Sequence, residues 1–214
     1  MRAGTVQASG MAGCMGILLA GGYGRRYAQA AGGGDKLLAS LPDGRPVAQA
    51  SAAAMLAVLP GVWAVVRPES QALAGLLAGM GCRVLRTGRA REGMGGSLAA
   101  AAEALLAQAG AAAALAPTHC LVALADMPWV APASHVRVAE SGCGHPIVAA
   151  ACQGRRGHPV SFAAALWPEL AALAGDEGAR GLLTRHGVVL AETGDPGVLA
   201  DIDQPADLMG PARP

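Results

Sequence analysis

Apolar residues along the chain come in short uninterrupted runs that alternate with stretches of helical spacing. The first run, Gly16–Ala20 (GILLA), stops at glycines and reads as a buried strand. Pro46–Val58 follows as a helix with proline in its first turn, then Val62–Arg67 (VWAVVR) as a strand, Glu69–Ala78 as a helix and Cys82–Arg86 as a strand. A Gly- and Arg-rich loop leads to Ser97, placed to cap a third helix over residues 97–116. His119–Asp126 (HCLVALAD) is the clearest buried strand of the chain. Beyond it the pattern predicts a short helix at His135–Ala139, a strand at Pro146–Cys152, a loop at Gln153–Pro159 and a strand at Val160–Phe162. Helices at Ala163–Leu173 and Asp176–Arg185, with short strands at Val188–Glu192 and Val198–Ile202, finish the ordered part.

This order predicts an α/β fold with a mostly parallel sheet and helices on both faces. Ligands of such sheets sit beyond the carboxyl ends of the strands, which directs attention to the loops after Ala20 and Arg86 and to Asp126. A length of 214 residues suits one domain, expected over 14–210, with residues 1–13 as a disordered lead-in lacking the apolar stretch of a secretory signal. The hydrophobic share of 53% is rich in alanine and only 3% of residues are aromatic, so the core must rest on Leu, Val, Ala and Met. A net charge of +1 argues against a nucleic-acid partner. Glu103, Gln108 and Gly110 interrupt the Ala-rich segment 97–116, which therefore reads as a helix packed on the sheet and gives no membrane span. Five cysteines with no C-x-x-C pair suit a reducing cytoplasm. The single residue between Cys143 and His145 is not a usual zinc-ligand spacing.

The candidate chemistry starts in Ile17–Leu38, ILLAGGYGRRYAQAAGGGDKLL. A Walker A loop fails, because Lys36 is preceded by Asp35 and followed by Leu37 where a Ser or Thr is needed. A dinucleotide turn fails as well: GYGRRY puts Tyr27 where a third glycine must allow close helix packing. Two readings stay open: a solvated loop whose Arg25, Arg26 and Lys36 face water, and a loop wrapping a nucleoside triphosphate. Gly21 and Gly22 let the main chain approach phosphates, Arg26 offers a bidentate fork, and Lys36 supplies a point charge.

These residues, in LAGGYGRRY…GGDK, resemble the opening motif of the molybdopterin nucleotidyltransferases, guanylyl- and cytidylyltransferases related to sugar-nucleotide pyrophosphorylases. The resemblance continues through EGMGGSL (Glu92–Leu98), LADMP (Leu124–Pro128), RRGHPVSF (Arg155–Phe162), GDEGARGLL (Gly175–Leu183) and DIDQPADL (Asp201–Leu208). It implies a three-layer α/β/α, Rossmann-like nucleotidyltransferase fold, attack of a molybdopterin phosphate on an NTP, magnesium dependence and pyrophosphate release. Ala28 stands where the family usually has glycine, and the spacer Gln29–Asp35 is longer than usual. LAGG is more like the guanylyl branch and the later blocks more like the cytidylyl branch, so CTP is the expected donor, with GTP, and then a sugar or other small phosphate as acceptor, as the alternatives.

On this resemblance Arg26, Lys36 and Asp126 are the catalytic set. Leu19, Ala20, Gly21, Gly22, Arg67, Gly95, Gly96 and Ser97 accompany Arg26 and Lys36 around the nucleotide. Asp126, with Asp201 or Asp203, holds Mg²⁺, which favours one or two carboxylates plus water and phosphate oxygens. Asp203 is equally placed to cap a helix starting near Pro205. Arg156, His158 and Arg180 are expected on the acceptor, with a molybdoenzyme or its chaperone receiving the product. Two readings of other classes stand beside this one: an NAD(P)-dependent oxidoreductase, resting on the GYG turn and Arg67, and a non-catalytic adaptor that hands cofactor to a partner.

Overall fold

The computed structural model describes residues 13–111 and 116–211. Apart from Gly13, the expected lead-in lies outside them, as do residues 112–115 at the end of the Ala-rich segment. Seven strands form one sheet in the order β3-β2-β1-β4-β6-β5-β7: β1 (Cys14–Ala20), β2 (Val62–Val66), β3 (Arg83–Arg86), β4 (His119–Leu124), β5 (Ile147–Cys152), β6 (Arg155–Ala163) and β7 (Val189–Glu192). All pairings are parallel except those of β6, which runs antiparallel to both β4 and β5. The helices are α1 (Arg25–Ala31), α2 (Val47–Leu56), α3 (Gln71–Gly79), α4 (Met94–Ala111), α5 (Pro132–Gly142), α6 (Trp167–Ala171) and α7 (Arg180–His186).

Strand alternation sends neighbouring side chains to opposite faces, and both faces are covered. Leu18, Ala20, Leu121 and Ala123 point toward α2, α3 and α5. Ile17, Leu19, Cys120 and Val122 point toward α4, α6 and α7. The three layers are therefore those the family resemblance implied. Trp167 and Phe162, 1% and 2% exposed, supply bulk on the α4 side, while alanines on α4 bring that helix close to the sheet. No helix among the described residues is long and apolar enough to cross a membrane.

Several expectations need correction. The basic loop of Gln153–Pro159 is mostly strand: β5 turns back through Gln153 and Gly154, both at positive φ (53° and 72°), and pairing resumes at Arg155 opposite Cys152. The amides of Gln153 and Gly154 donate to the Glu192 carboxylate at 2.8 and 3.0 Å, so a distant acid stabilises a turn that local composition disguised. Val198–Ile202 is not a strand. Asp195 caps a short 3-10 turn over Pro196–Leu199, accepting from the Gly197 amide at 2.9 Å. Helix α7 starts only at Arg180, after the glycine-broken segment Gly175–Gly178. The expected helix at Ala163–Leu173 shrinks to a 3-10 turn and α6, and α5 extends well past the expected His135–Ala139.

Helix α5 also carries a pH-sensitive weakness. His135 is 2% exposed, and burial pushes its imidazole down to about 4, only partly offset by the Asp195 charge. The unfolded chain binds this proton near pH 6.5, so between there and pH 4 it takes up a proton that the folded state refuses. Stability is therefore full above pH 6.5 and falls as the pH drops, by roughly 3 kcal/mol at pH 4 for this one group. Urea midpoints measured across that window should decline, and His135→Gln should flatten the decline.

Candidate active site

The strand order reverses direction between β1 and β4, and the crevice outside their carboxyl ends holds the chemistry-bearing residues. After Ala20 the chain turns through Gly21–Gly24. Gly24 takes the left-handed conformation (φ 56°) that starts α1, and Tyr27, 7% exposed, anchors that helix in the core. Gly21 has no room for a side chain, since a Cβ there would stand 2.9 Å from Cβ of Ala90 and 3.0 Å from Oγ of Ser97. Helix α1 was not expected from sequence, where its glycine-flanked residues read as loop. The long spacer does not leave Lys36 loose. Asp35 accepts from the Leu37 amide at 3.0 Å and opens a 3-10 turn over Lys36–Leu38, pinned by buried Leu37 and Leu41.

Asp126 follows β4, and the late acidic segment is clipped across it. The Ile202 amide donates to the Asp126 carbonyl at 2.9 Å, and the fully buried Ile202 side chain fixes the register. Asp203 is thereby carried to the same place. Lys36 Nζ lies 2.5 Å from Asp126 Oδ2, 2.9 Å from the Ile202 carbonyl and 4.0 Å from Asp203 Oδ1. The Arg26 guanidinium donates to Asp203 Oδ2. Asp203 is not a helix cap: Gln204 and Asp207 form the capping box, which leaves the Asp203 carboxylate to the cations.

A cleft of about 460 Å³ opens over this cluster, inside the range of small-molecule sites. Of the residues expected around the nucleotide and metal, Leu19, Gly21, Gly22, Arg26, Lys36, Ser97, Asp126 and Asp203 line it. Ala20 is buried in the core beneath. Arg67 is displaced to the rim, where its guanidinium lies over the Tyr23 ring at 4.3 Å and donates to Ser70 Oγ. Ser97 does not cap α4, which begins at Met94; its hydroxyl donates back to the Gly93 carbonyl at 3.2 Å. Gly95 and Gly96 do not border the cleft. Their missing side chains make room for the chain itself: a Cβ on Gly95 would lie 2.6 Å from the Ala174 carbonyl oxygen, and one on Gly96 would run into that of Arg89.

Asp201 is exposed and outside the lining, and its carboxyl sits above the usual range through partial burial and the charges of Asp126 and Asp203. Arg156 and Arg180 are exposed on β6 and α7 and do not reach the cleft wall. His158 on β6 is partly buried beside Asp126. Burial holds its imidazole below the ordinary value, against the Asp126 charge, so the ring is neutral at pH 7. Sequence reasoning singled out none of Tyr23, Arg25 and Asp176 for the site, and reached Arg91 and Met94 only as part of the Gly- and Arg-rich stretch 88–98; all five are in the cleft lining. Asp176 lies in the motif Gly175–Leu183, but its distance along the chain hid that it abuts Gly93, where a Cβ would run into its carboxylate.

No cluster of three or more His, Cys, Asp or Glu suited to a metal occurs among the described residues. A paired site does fit a hard divalent ion: Asp126 and Asp203 offer carboxylate oxygens on either side of one cationic centre, beside open cleft where water and phosphate oxygens complete the shell.

None of the proteins of curated function matches the sequence at a significant level. Among solved structures, Rv0371c from Mycobacterium tuberculosis H37Rv superposes with a TM-score of 0.73 at 26% identity, covering 91% of this chain and 94% of that one. A nucleotidyl transferase from Methanothermobacter, Mth528, gives 0.73 at 25% identity over 91% of this chain and 93% of its own. The molybdopterin-guanine dinucleotide biosynthesis protein A of Archaeoglobus fulgidus shares the fold, with a TM-score of 0.64 at 20% identity, 91% of this chain and 94% of that one being covered. The profile of the MobA-like NTP transferase domain matches residues 16–189, from within β1 to the start of β7, and the chain belongs to that family.

Proposed function

We propose that residues 14–210 act as one nucleotidyltransferase domain that moves a nucleoside monophosphate, CMP from CTP, onto the terminal phosphate of molybdopterin and releases pyrophosphate. The observation that carries this reading is the convergence of Lys36, Arg26, Asp126 and Asp203 on one point beside a glycine turn that opens into the cleft. Attack on an α-phosphorus builds negative charge on non-bridging oxygens and on the leaving pyrophosphate, so positioning and neutralisation carry the catalysis. The turn at Gly21 and Gly22 cradles the triphosphate, while Arg26 and Lys36 offset the growing charge. Asp126 and Asp203 would hold Mg²⁺, which would supply Lewis-acid polarisation of the phosphoryl oxygens. The acceptor extends beyond the cleft lining toward Arg156 and His158 on β6 and Arg180 on α7. Neutral His158 orients rather than protonates, and the acceptor phosphate, already ionised, needs no strong base. A cytoplasmic setting, with delivery to a molybdoenzyme or its chaperone, completes the proposal.

GTP is the second reading, favoured by one observation. Asp176 lines the cleft, and an ionised carboxylate only accepts hydrogen bonds; guanine presents an adjacent pair of N–H donors where cytosine presents one amino group beside an acceptor. The test is a panel of the four NTPs with molybdopterin and Mg²⁺, monitored as pyrophosphate. Release with CTP ahead of the others is expected, and GTP ahead would move the choice to the second reading. Silence from all four, together with nucleotide-dependent thermal stabilisation, would replace the enzyme by an adaptor.

A further inference from the structure

The two carboxylates suited to a metal are both already bound to cations of the protein. Asp126 holds Lys36 Nζ at 2.5 Å, and Asp203 accepts from Arg26 while standing 4.0 Å from the same ammonium. The Lys36 side chain is 9% exposed, against 20% for Asp126 and 39% for Asp203, so the ammonium sits deeper than the acids it serves. A third oxygen, the Ile202 carbonyl at 2.9 Å, completes an oxygen cage around it. Two negative and two positive side chains leave the cluster formally neutral. An oxygen-lined, anionic position is what a hard divalent ion seeks, and here a resident ammonium fills it.

We propose that Lys36 occupies the divalent-cation position of the ligand-free protein, so that metal enters only together with a polyphosphate that draws Lys36 off the carboxylates. The inference rests on reading the cleft as a metal–nucleotide site. A divalent ion added to the ligand-free cluster must settle beside an unscreened ammonium and share its two anions, which costs it most of the attraction they offer. A triphosphate supplies new anionic partners for Lys36 and Arg26, and the carboxylates are released at the moment the metal arrives. The coupling is reciprocal, so metal strengthens triphosphate binding by the same factor. This device protects the site from idle metal without any moving lid: Leu37 and Leu41 fix the backbone of the turn, and only the end of a flexible side chain has to swing.

The consequence is an inverted mutational effect, in which removing a cation that serves the reaction improves metal binding. The experiment titrates Mn²⁺ into nucleotide-free protein and reads free Mn²⁺ by electron paramagnetic resonance. Wild type should bind weakly. Lys36→Met should bind at least about tenfold more tightly, a difference of ~1.4 kcal/mol or more. Lys36→Arg keeps the charge and should stay weak, and Lys36→Met/Asp126→Asn should lose the gain. Lys36→Gln, whose amide still donates to Asp126, serves as a second neutral variant should the methionine protein fold poorly, with folding checked by thermal denaturation. Tight Mn²⁺ binding by wild type, or no gain in either neutral variant, would overturn the inference. The outcome is separable from the enzymatic reading, because a gain in Lys36→Met without turnover by wild type on any NTP would leave the cation exchange standing and remove the reaction.

Discussion

Replacing Asp126 by asparagine is expected to cut pyrophosphate release by about a thousandfold, ~4 kcal/mol of transition-state stabilisation, while the protein stays folded. The side chain keeps its size, so packing at the end of β4 is undisturbed. What goes is the charge that balances Lys36 and, on the proposed mechanism, anchors the metal, and both losses would act where negative charge builds on the transferring phosphoryl group. Lys36 keeps the Ile202 carbonyl and the Asp203 carboxylate as partners, which limits the loss of stability that normally follows when one member of a buried pair is removed. Pyrophosphate release under saturating NTP, beside a melting curve of the same preparation, checks both halves. Turnover within tenfold of wild type would remove Asp126 from the mechanism and with it the proposed metal position.

The second large effect concerns stability and runs against a general rule. Glycine inside a helix is ordinarily improved by alanine, by roughly 0.5–1 kcal/mol. Gly110 in α4 follows the rule: among the described residues, nothing beyond the helix's own backbone and its chain neighbours lies within 4 Å of where its Cβ would stand, and Gly110→Ala should stabilise. Gly96, in the first turn of the same helix, should do the opposite. Its Cβ would collide with the carbonyl of Arg89, a backbone atom of the 3-10 turn over Gly88–Glu92, and that turn cannot yield as a side-chain tip would. Overpacking of this kind costs about 3 kcal/mol, or a fall in Tm of roughly 6–12 °C for a domain of this size. Ala90 and Arg91 of the same turn line the cleft, so nucleotide affinity should fall together with Tm. A Gly96→Ala protein as stable as wild type would mean that α4 and the turn are packed less closely than described.

The elements that sequence revealed are those whose signal is local. Gly16–Ala20 and His119–Asp126 are short, apolar and bounded by breakers, and they became the two central strands flanking the crevice. The misread elements owe their form to distant partners. The turn at Gln153–Gly154 depends on Glu192, 38 residues beyond Gly154. The run Val198–Ile202 looks like a strand because Val198 and Ile202 are buried, yet it finds no neighbouring strand and serves as a strap that carries Asp203 to Asp126. Gly95 and Gly96 looked like ligand-facing glycines because sequence shows that a side chain is missing and is silent about what fills its place.

The chain by itself determined the alternation of buried strands and helices, because burial on both faces of a sheet leaves a pattern that short windows contain. It also offered Arg26, Lys36 and Asp126 as candidates, through glycines beside basic residues and an acid after a strand, while Asp201 and Asp203 came only from the family resemblance and were left as alternatives. Only the tertiary structure decided which of those acids meet which cations. Asp203 reaches Lys36, whereas Asp201, two positions earlier on the other side of the buried Ile202, stays exposed outside the cleft lining. An electrostatic cluster depends on distances of a few ångströms between residues up to 177 positions apart, and that information exists nowhere in the sequence until the chain has folded.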